Sequence, residues 1–148
     1  MNRVGKWLGW IGATAAAAAG ASQIGLLLYI VLGRMSYRFD LEWMESGTLC
    51  TVLRILEGQP VYGPPSADFI SFLYTPFYPF LLAGLSKVFG LSYAIGRAVS
   101  VISFAVATTL LALAVVRRTR RDPHRVLWAV AAAGLIASSF PHSGAWHD

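Results

Sequence analysis

Trp7 to Gly33 reads WLGWIGATAAAAAGASQIGLLLYIVLG, 27 residues without one charge. About 20 consecutive apolar residues cross a hydrocarbon core of about 30 Å, so this stretch sets the class of the chain as all-α integral membrane. Its flanks mimic a secretory leader, with Arg3 and Lys6 before it and a small-residue tripeptide, Ala19-Gly20-Ala21, inside it. A leader's apolar region runs about 7–15 residues, whereas this one continues through GLLLYIVLG (Gly25 to Gly33). It reads as a retained anchor. The composition agrees: 56% of the 148 residues are apolar and 13% charged, with a mean hydropathy of +0.58, a bias expected of a multi-span protein.

Working outward, Ala98 to Val116 supplies 19 further uncharged residues and Val126 to Phe140 another 15. Three spans are expected, over 7–33, 94–116 and 126–143. Arg117, Arg118, Arg120, Arg121 and Arg125 follow the second span directly. Such a cluster is a positive-inside signal whose partner is anionic lipid, and it accounts for the net charge of +5 without nucleic acid. FYPFLLAGLSKVFG (Phe77 to Gly90) decides the topology. As a fourth span it would put the arginine cluster outside while Arg3 and Lys6 stayed inside, against the charge rule. With 14 residues, Pro79 and Lys87, it suits a surface or re-entrant segment better. The N-terminus and the basic turn 117–125 are then inside. An outer loop with surface helices fills 34–93, and a second outer loop begins at 144–148, in a multi-pass inner or plasma membrane protein. Within the first span small residues recur every fourth position, Gly12-Ala16-Gly20 and Ala17-Ala21-Gly25. Either these form a close helix-packing face or they reflect plain alanine richness.

The first outer loop, RFDLEWMESGTLCTVLRILEGQPVYGPPSADFISFLYTPFYP from Arg38 to Pro79, holds five of the seven acids. Acids within a few residues of a membrane face are costly unless they pair, bind or react. A helix is expected over 41–57, stopping before Gly58 and Pro60. At about 100° per residue it puts Glu42, Glu45, Leu49, Val52, Leu53 and Leu56 on one side, and Asp40, Gly47 and Arg54 on the other. Carboxylates on an apolar face meet desolvation, which would raise their pKa and ready one as a base. The plainer alternative is that they sit in the first turn, where negative charge is favourable. GQPVYGPPS (Gly58 to Ser66) is a run of turns. FLYTPFYPF (Phe72 to Phe80) interleaves aromatics with prolines, reading either as a membrane-boundary belt or as a wall for a lipid-linked ligand, with Tyr74 or Tyr78 offering a hydroxyl. Arg97, opening the second span, can pair with a loop acid, meet a phosphate or merely snorkel. At the far end PHSGAWHD (Pro141 to Asp148) brings His147 and Asp148, at no spacing that defines a metal site. The single Cys50 allows no internal disulfide.

In order and spacing, EWMESG (Glu42 to Gly47), Arg54, GQPVY (Gly58 to Tyr62), YTPFYPFL (Tyr74 to Leu81) and GLSYAIGRAVS (Gly90 to Ser100) resemble the first outer loop of the GT-C membrane glycosyltransferases. The resemblance is to the branch with the dolichyl-phosphate-mannose–protein mannosyltransferases and, closer, to the bacterial RgtA/B/C/D-like proteins. The terminal GAWHD resembles the start of that family's second outer loop. Glu42 and Ser46 stand where the family commonly has Asp and Gly. The resemblance implies a transferase that moves a sugar from a polyprenyl-phosphate donor to an acceptor hydroxyl, with inversion. Glu45 would match the base and Glu42 its neighbour. Asp40, Arg54, Tyr62, Tyr74, Tyr78, Arg97, His147 and Asp148 would lie around the substrates. No cofactor is required by the sequence, and a divalent cation is compatible with it. Family members have many more spans, so this chain is expected to be the front part of such an enzyme, inactive without the missing transmembrane segments. Two other readings stand beside it. One is a non-enzymatic three-span assembly or scaffold protein. The other is a lipid-linked-sugar carrier, which would carry acids within its spans where none is found.

Overall fold

The structure, a computed structural model, describes residues 3–66, 69–71 and 74–142. Among these the chain is all-helical, with α1 (Arg3–Met35), α2 (Trp43–Leu56), α3 (Phe77–Phe89), α4 (Tyr93–Arg118) and α5 (Arg125–His142). Two of the helices, α1 and α4, are long and apolar enough to cross a membrane. At 1.5 Å per residue, α1 is about 50 Å long. The most apolar stretch of α4 has none of its residues buried, and Ile102 and Leu110 are 62% and 61% exposed. The core helix of a water-soluble domain would hide such side chains. α5 forms where the third span is expected and is the shorter apolar helix of the three.

The chain divides into two compact units, Met1–Arg34 with Val101–Asp148, and Met35–Ser100. In the first, α1 and α5 cross at glycines. A Cβ built on Gly20 would lie 2.6 Å from the carbonyl oxygen of Val130 and 2.9 Å from the Cα of Ala131, and one on Gly134 would run into the backbone of Gly20. Ala13, Ala17 and Leu27 of α1 are buried, as are Ala129, Ala133 and Ala137 of α5. The small residues therefore pack, as lipid-embedded helices do when they lack a hydrophobic driving force. The face itself differs from both expected stripes: it runs Ala13-Ala17-Gly20, drawing on members of both, while Gly12 and Gly25 have open space where a Cβ would be. Gly134→Leu overpacks the crossing and is expected to cost about 1–3 kcal/mol. The check is an earlier midpoint in SDS unfolding, with the exposed Leu135→Ala as the variant that leaves the midpoint in place.

The reversal between α4 and α5 is held by Asp122. Its carboxylate accepts the backbone N–H of His124 at 2.7 Å and the indole N–H of Trp128 at 3.1 Å. The ring of His124 in turn meets Trp10 of α1 edge-on, centroids 4.3 Å apart.

In the second unit α2 packs on α3. Val52, Leu82 and Ala83 form the buried centre, with Ile55, Leu56, Tyr78, Ile95 and Val99 against it. Both helices stop at glycines in the left-handed region, Gly58 at φ +72° and Gly90 at φ +83°, where any side chain would be strained. α3 is two-sided: Leu82, Ala83 and Ser86 are buried while Phe77, Phe80, Val88 and Phe89 stay exposed. α2 begins at Trp43 with Glu42 as its N-cap, later than the expected start at 41. The Leu41 N–H is taken by the Glu45 carboxylate at 2.8 Å, and the Glu45 N–H bonds the Glu42 carbonyl at 2.9 Å. A first-turn acid that reaches back to an orphan amide closes the helix start much as a capping box does.

Candidate functional site

The second unit is organised around one ion pair. Arg97, near the start of α4, has only 8% of its side chain exposed, and Glu45 26%. The guanidinium grips the carboxylate with two parallel bonds, Nε to Oε1 at 3.0 Å and Nη2 to Oε2 at 2.7 Å. Its remaining donors reach backbone carbonyls before α2, Nη1 to Tyr37 and Nη2 to Phe39, each at 2.7 Å. One planar fork thus ties the segment entering α2, the first turn of α2 and the start of α4 together. Arginine suits this because its five donors are fixed in the geometry a carboxylate matches. A second chain of bonds runs alongside: Ser46 Oγ donates to Asp40 at 2.8 Å and shares a 3.0 Å bond with the Tyr93 hydroxyl.

Burial pushes the Glu45 carboxyl up. The Arg97 hydrogen bonds, the Leu41 N–H and the Arg97 charge together outweigh that, and its pKa ends below the usual carboxylate range. The sequence expectation of a raised pKa is therefore corrected. Desolvation does act, but a fully engaged cation and an amide stabilise the charged form more. Such a carboxylate is a weaker base than a free one, with three acceptor positions taken by Arg97 and the Leu41 N–H and its proton affinity reduced.

Beside the pair lies a cavity of about 370 Å³, lined among others by Glu42, Glu45, Thr48, Val61, Tyr74 and Tyr78. Met44, Thr51, Thr75, Pro76 and Pro79 also line it among the described residues. Its size falls at the small end of ligand sites, about 300–1,000 Å³. Glu42 is exposed at the mouth of α2, and its side chain makes no capping bond. Of the two carboxylates in the wall, it is the more exposed and, among the described residues, the one without an ion pair.

The other residues singled out from the sequence divide. Tyr74 and Tyr78 line the cavity, although the Tyr78 hydroxyl is used on the Gly96 carbonyl at 3.1 Å and faces Ser100 Oγ at 3.3 Å. Arg54 turns to the Pro60 carbonyl at 3.1 Å and lies 3.8 Å over the Phe69 ring. Tyr62 donates to the Tyr74 carbonyl. Both brace the 58–76 loop, which Ser71 also ties to the Gly63 amide at 3.1 Å. Asp40 supports α2 through Ser46. His147 and Asp148 lie outside the described residues. Among the described residues no group of three or more His, Cys, Asp or Glu stands where it could hold a metal ion. Sequence reading missed the parts played by Tyr93, Ser46 and the carbonyls of Tyr37 and Phe39. Tyr93 carried a signal, lying four residues before Arg97 on one helix face. The carbonyls carried none.

Compared with protein-family models, with curated proteins and with solved structures, the chain matches none.

Proposed function

We propose that the chain crosses an inner or plasma membrane three times with its N-terminus inside, and that the outward unit Met35–Ser100 forms part of a glycosyltransferase site. The reaction moves a sugar from a polyprenyl-phosphate donor to an acceptor hydroxyl. The acceptor oxygen attacks the anomeric carbon, the bond to the lipid phosphate breaks with its electrons going to that phosphate, and the hydroxyl proton passes to a carboxylate. Glu42 is that base. Glu45, gripped by Arg97, positions the first turn of α2 and with it Glu42. Tyr74 and Tyr78 wall the acceptor, and further transmembrane segments contact the donor phosphate.

The observation that carries this reading is a cavity holding an uncommitted carboxylate beside a locked one, in a unit whose chain enters from α1 and leaves into α4, the two span-length helices. A carboxylate so placed can serve an acceptor while the donor's lipid stays in the bilayer. The test uses membranes that contain the protein with whatever segments it works with, given a polyprenyl-phosphate sugar labelled in the sugar. Label is expected to move to a water-soluble or lipid acceptor and to stay on the donor in membranes lacking the protein. Equal transfer in both would remove the proposal.

A further inference from the structure

The charge inside the cavity is one-sided. Among the described residues two carboxylates line it and neither lysine nor arginine does. Glu45 is offset by Arg97 behind it, which leaves Glu42 as an unbalanced negative charge at the wall. The arginines of the unit that are turned inward are spent elsewhere: Arg97 on Glu45 and two carbonyls, Arg54 on the Pro60 carbonyl and the Phe69 ring. A ligand carrying a carboxylate or phosphate would meet like charge at the wall with neither lysine nor arginine lining it among the described residues, an unfavourable juxtaposition that salt weakens. A neutral sugar ring meets what it needs. Glu42 accepts hydrogen bonds from its hydroxyls, and a charged acceptor makes such bonds strong. Thr48 and Thr75 add hydroxyls, and the Tyr74 ring with Met44, Val61 and Pro76 covers C–H faces.

We propose that this cavity selects an uncharged glycoside as acceptor and rejects uronates and phosphorylated sugars, with Glu42 as the residue that sets the selection. The selection rests on the transferase reading above and adds the chemical class of its acceptor. The cavity volume of about 370 Å³ admits one or two rings, so recognition is confined to the acceptor's terminal sugar.

Three methionines occur in the chain, and Met44 lies in the cavity wall, so its methyl group reports occupancy locally. The full chain, ¹³C-methyl-labelled at methionine and held in nanodiscs of phosphatidylcholine, is titrated with methyl β-glucoside and with methyl β-glucuronide, which differ in one carboxylate. The Met44 signal is expected to shift with the glucoside and to require at least about ten times more glucuronide. Glu42→Gln should bring the two within about threefold, and 0.5 M salt should narrow the gap in the wild type because screening shortens the reach of the charge. A purely structural role for Glu42 would leave the salt dependence unaltered by the substitution. Equal affinity for the two glycosides overturns the selection and leaves the transferase reading standing. A gap that survives Glu42→Gln overturns the assignment to Glu42. A Met44 signal that moves with neither glycoside, in protein of unchanged helical circular dichroism, overturns the selection, whereas the transferase reading falls only if labelled sugar fails to transfer in the membrane assay above.

Discussion

Glu42→Gln is expected to lower sugar transfer by about 10²–10⁴-fold, the range that removal of a general base produces, while leaving the helices intact. The amide keeps the size of the side chain and loses its ability to take a proton. Because Glu42 makes no capping bond at the start of α2, the substitution breaks no hydrogen bond of the fold and removes only the modest attraction of a charge to the helix start. The loss should fall on kcat more than on KM, since the proton moves only in the transition state. Glu45→Gln gives a contrasting pattern. It also weakens transfer, but by loosening the turn that Arg97 holds, so amide exchange over 37–46 accelerates in step with the loss. If Glu45→Gln abolishes transfer while exchange over 37–46 stays slow, Glu45 is the base and Glu42 the positioning residue.

The second large effect belongs to Arg97→Ala. It leaves Glu45 without its cation and the carbonyls of Tyr37 and Phe39 without donors. Breaking a buried pair by removing one partner costs about 3–5 kcal/mol. Glu45 keeps 26% of its side chain exposed, so water relieves part of this, and about 3 kcal/mol is expected. Amide exchange over 37–46 should then run roughly a hundredfold faster, at about 1.4 kcal/mol per factor of ten. The pH dependence should also change sign. In the wild type the folded pKa of Glu45 lies below its ordinary value. Its stabilisation is therefore present above about pH 4.3, the unperturbed glutamate value, and is lost as pH falls through the depressed folded value. In Arg97→Ala burial, the largest influence on this carboxyl, is opposed only by the Leu41 N–H and raises the folded pKa, so the unit becomes relatively more stable as pH falls. Arg97→Lys keeps a charge but not the fork, and should recover only part of the loss.

The residues whose roles follow from local rules were legible. Helix α2 stops at Gly58 because glycine there takes a positive φ, and Glu45 lies in its first turn, as the plainer alternative held. The stretch 77–90 is a separate short helix, α3, ended by Gly90. Long-range choices were not legible. Arg97 could pair, bind phosphate or snorkel as far as spacing goes. Its partner lies 52 residues earlier, and only the packing of α2 against the start of α4 brings the two within reach. The same packing sets the sign of the Glu45 pKa, which face exposure alone gets wrong. Tyr62 and Arg54 are expected around the substrates only through the family resemblance, since spacing alone assigns them no contact. In this chain the turn-rich 58–76 loop needs internal ties, and the Tyr62 hydroxyl and the Arg54 guanidinium supply two of them. For the helices of the first unit, a four-residue spacing of small side chains marks packing but cannot fix its register. The crossing at Gly20 and Gly134 depends on α5, whose facing residues the pattern in α1 does not contain.

Transfer from a lipid-linked donor on the outer side requires the Met35–Ser100 unit to face outward. Cys50, the single cysteine of the chain, is exposed on α2 and reports its own sidedness in the unaltered protein. Right-side-out membrane vesicles treated with a membrane-impermeant maleimide should label Cys50 fully, with no further labelling after permeabilisation. Labelling that begins only after permeabilisation would put the unit, its cavity and Glu42 on the inner face, and would contradict the three-span topology and the outward transfer built on it.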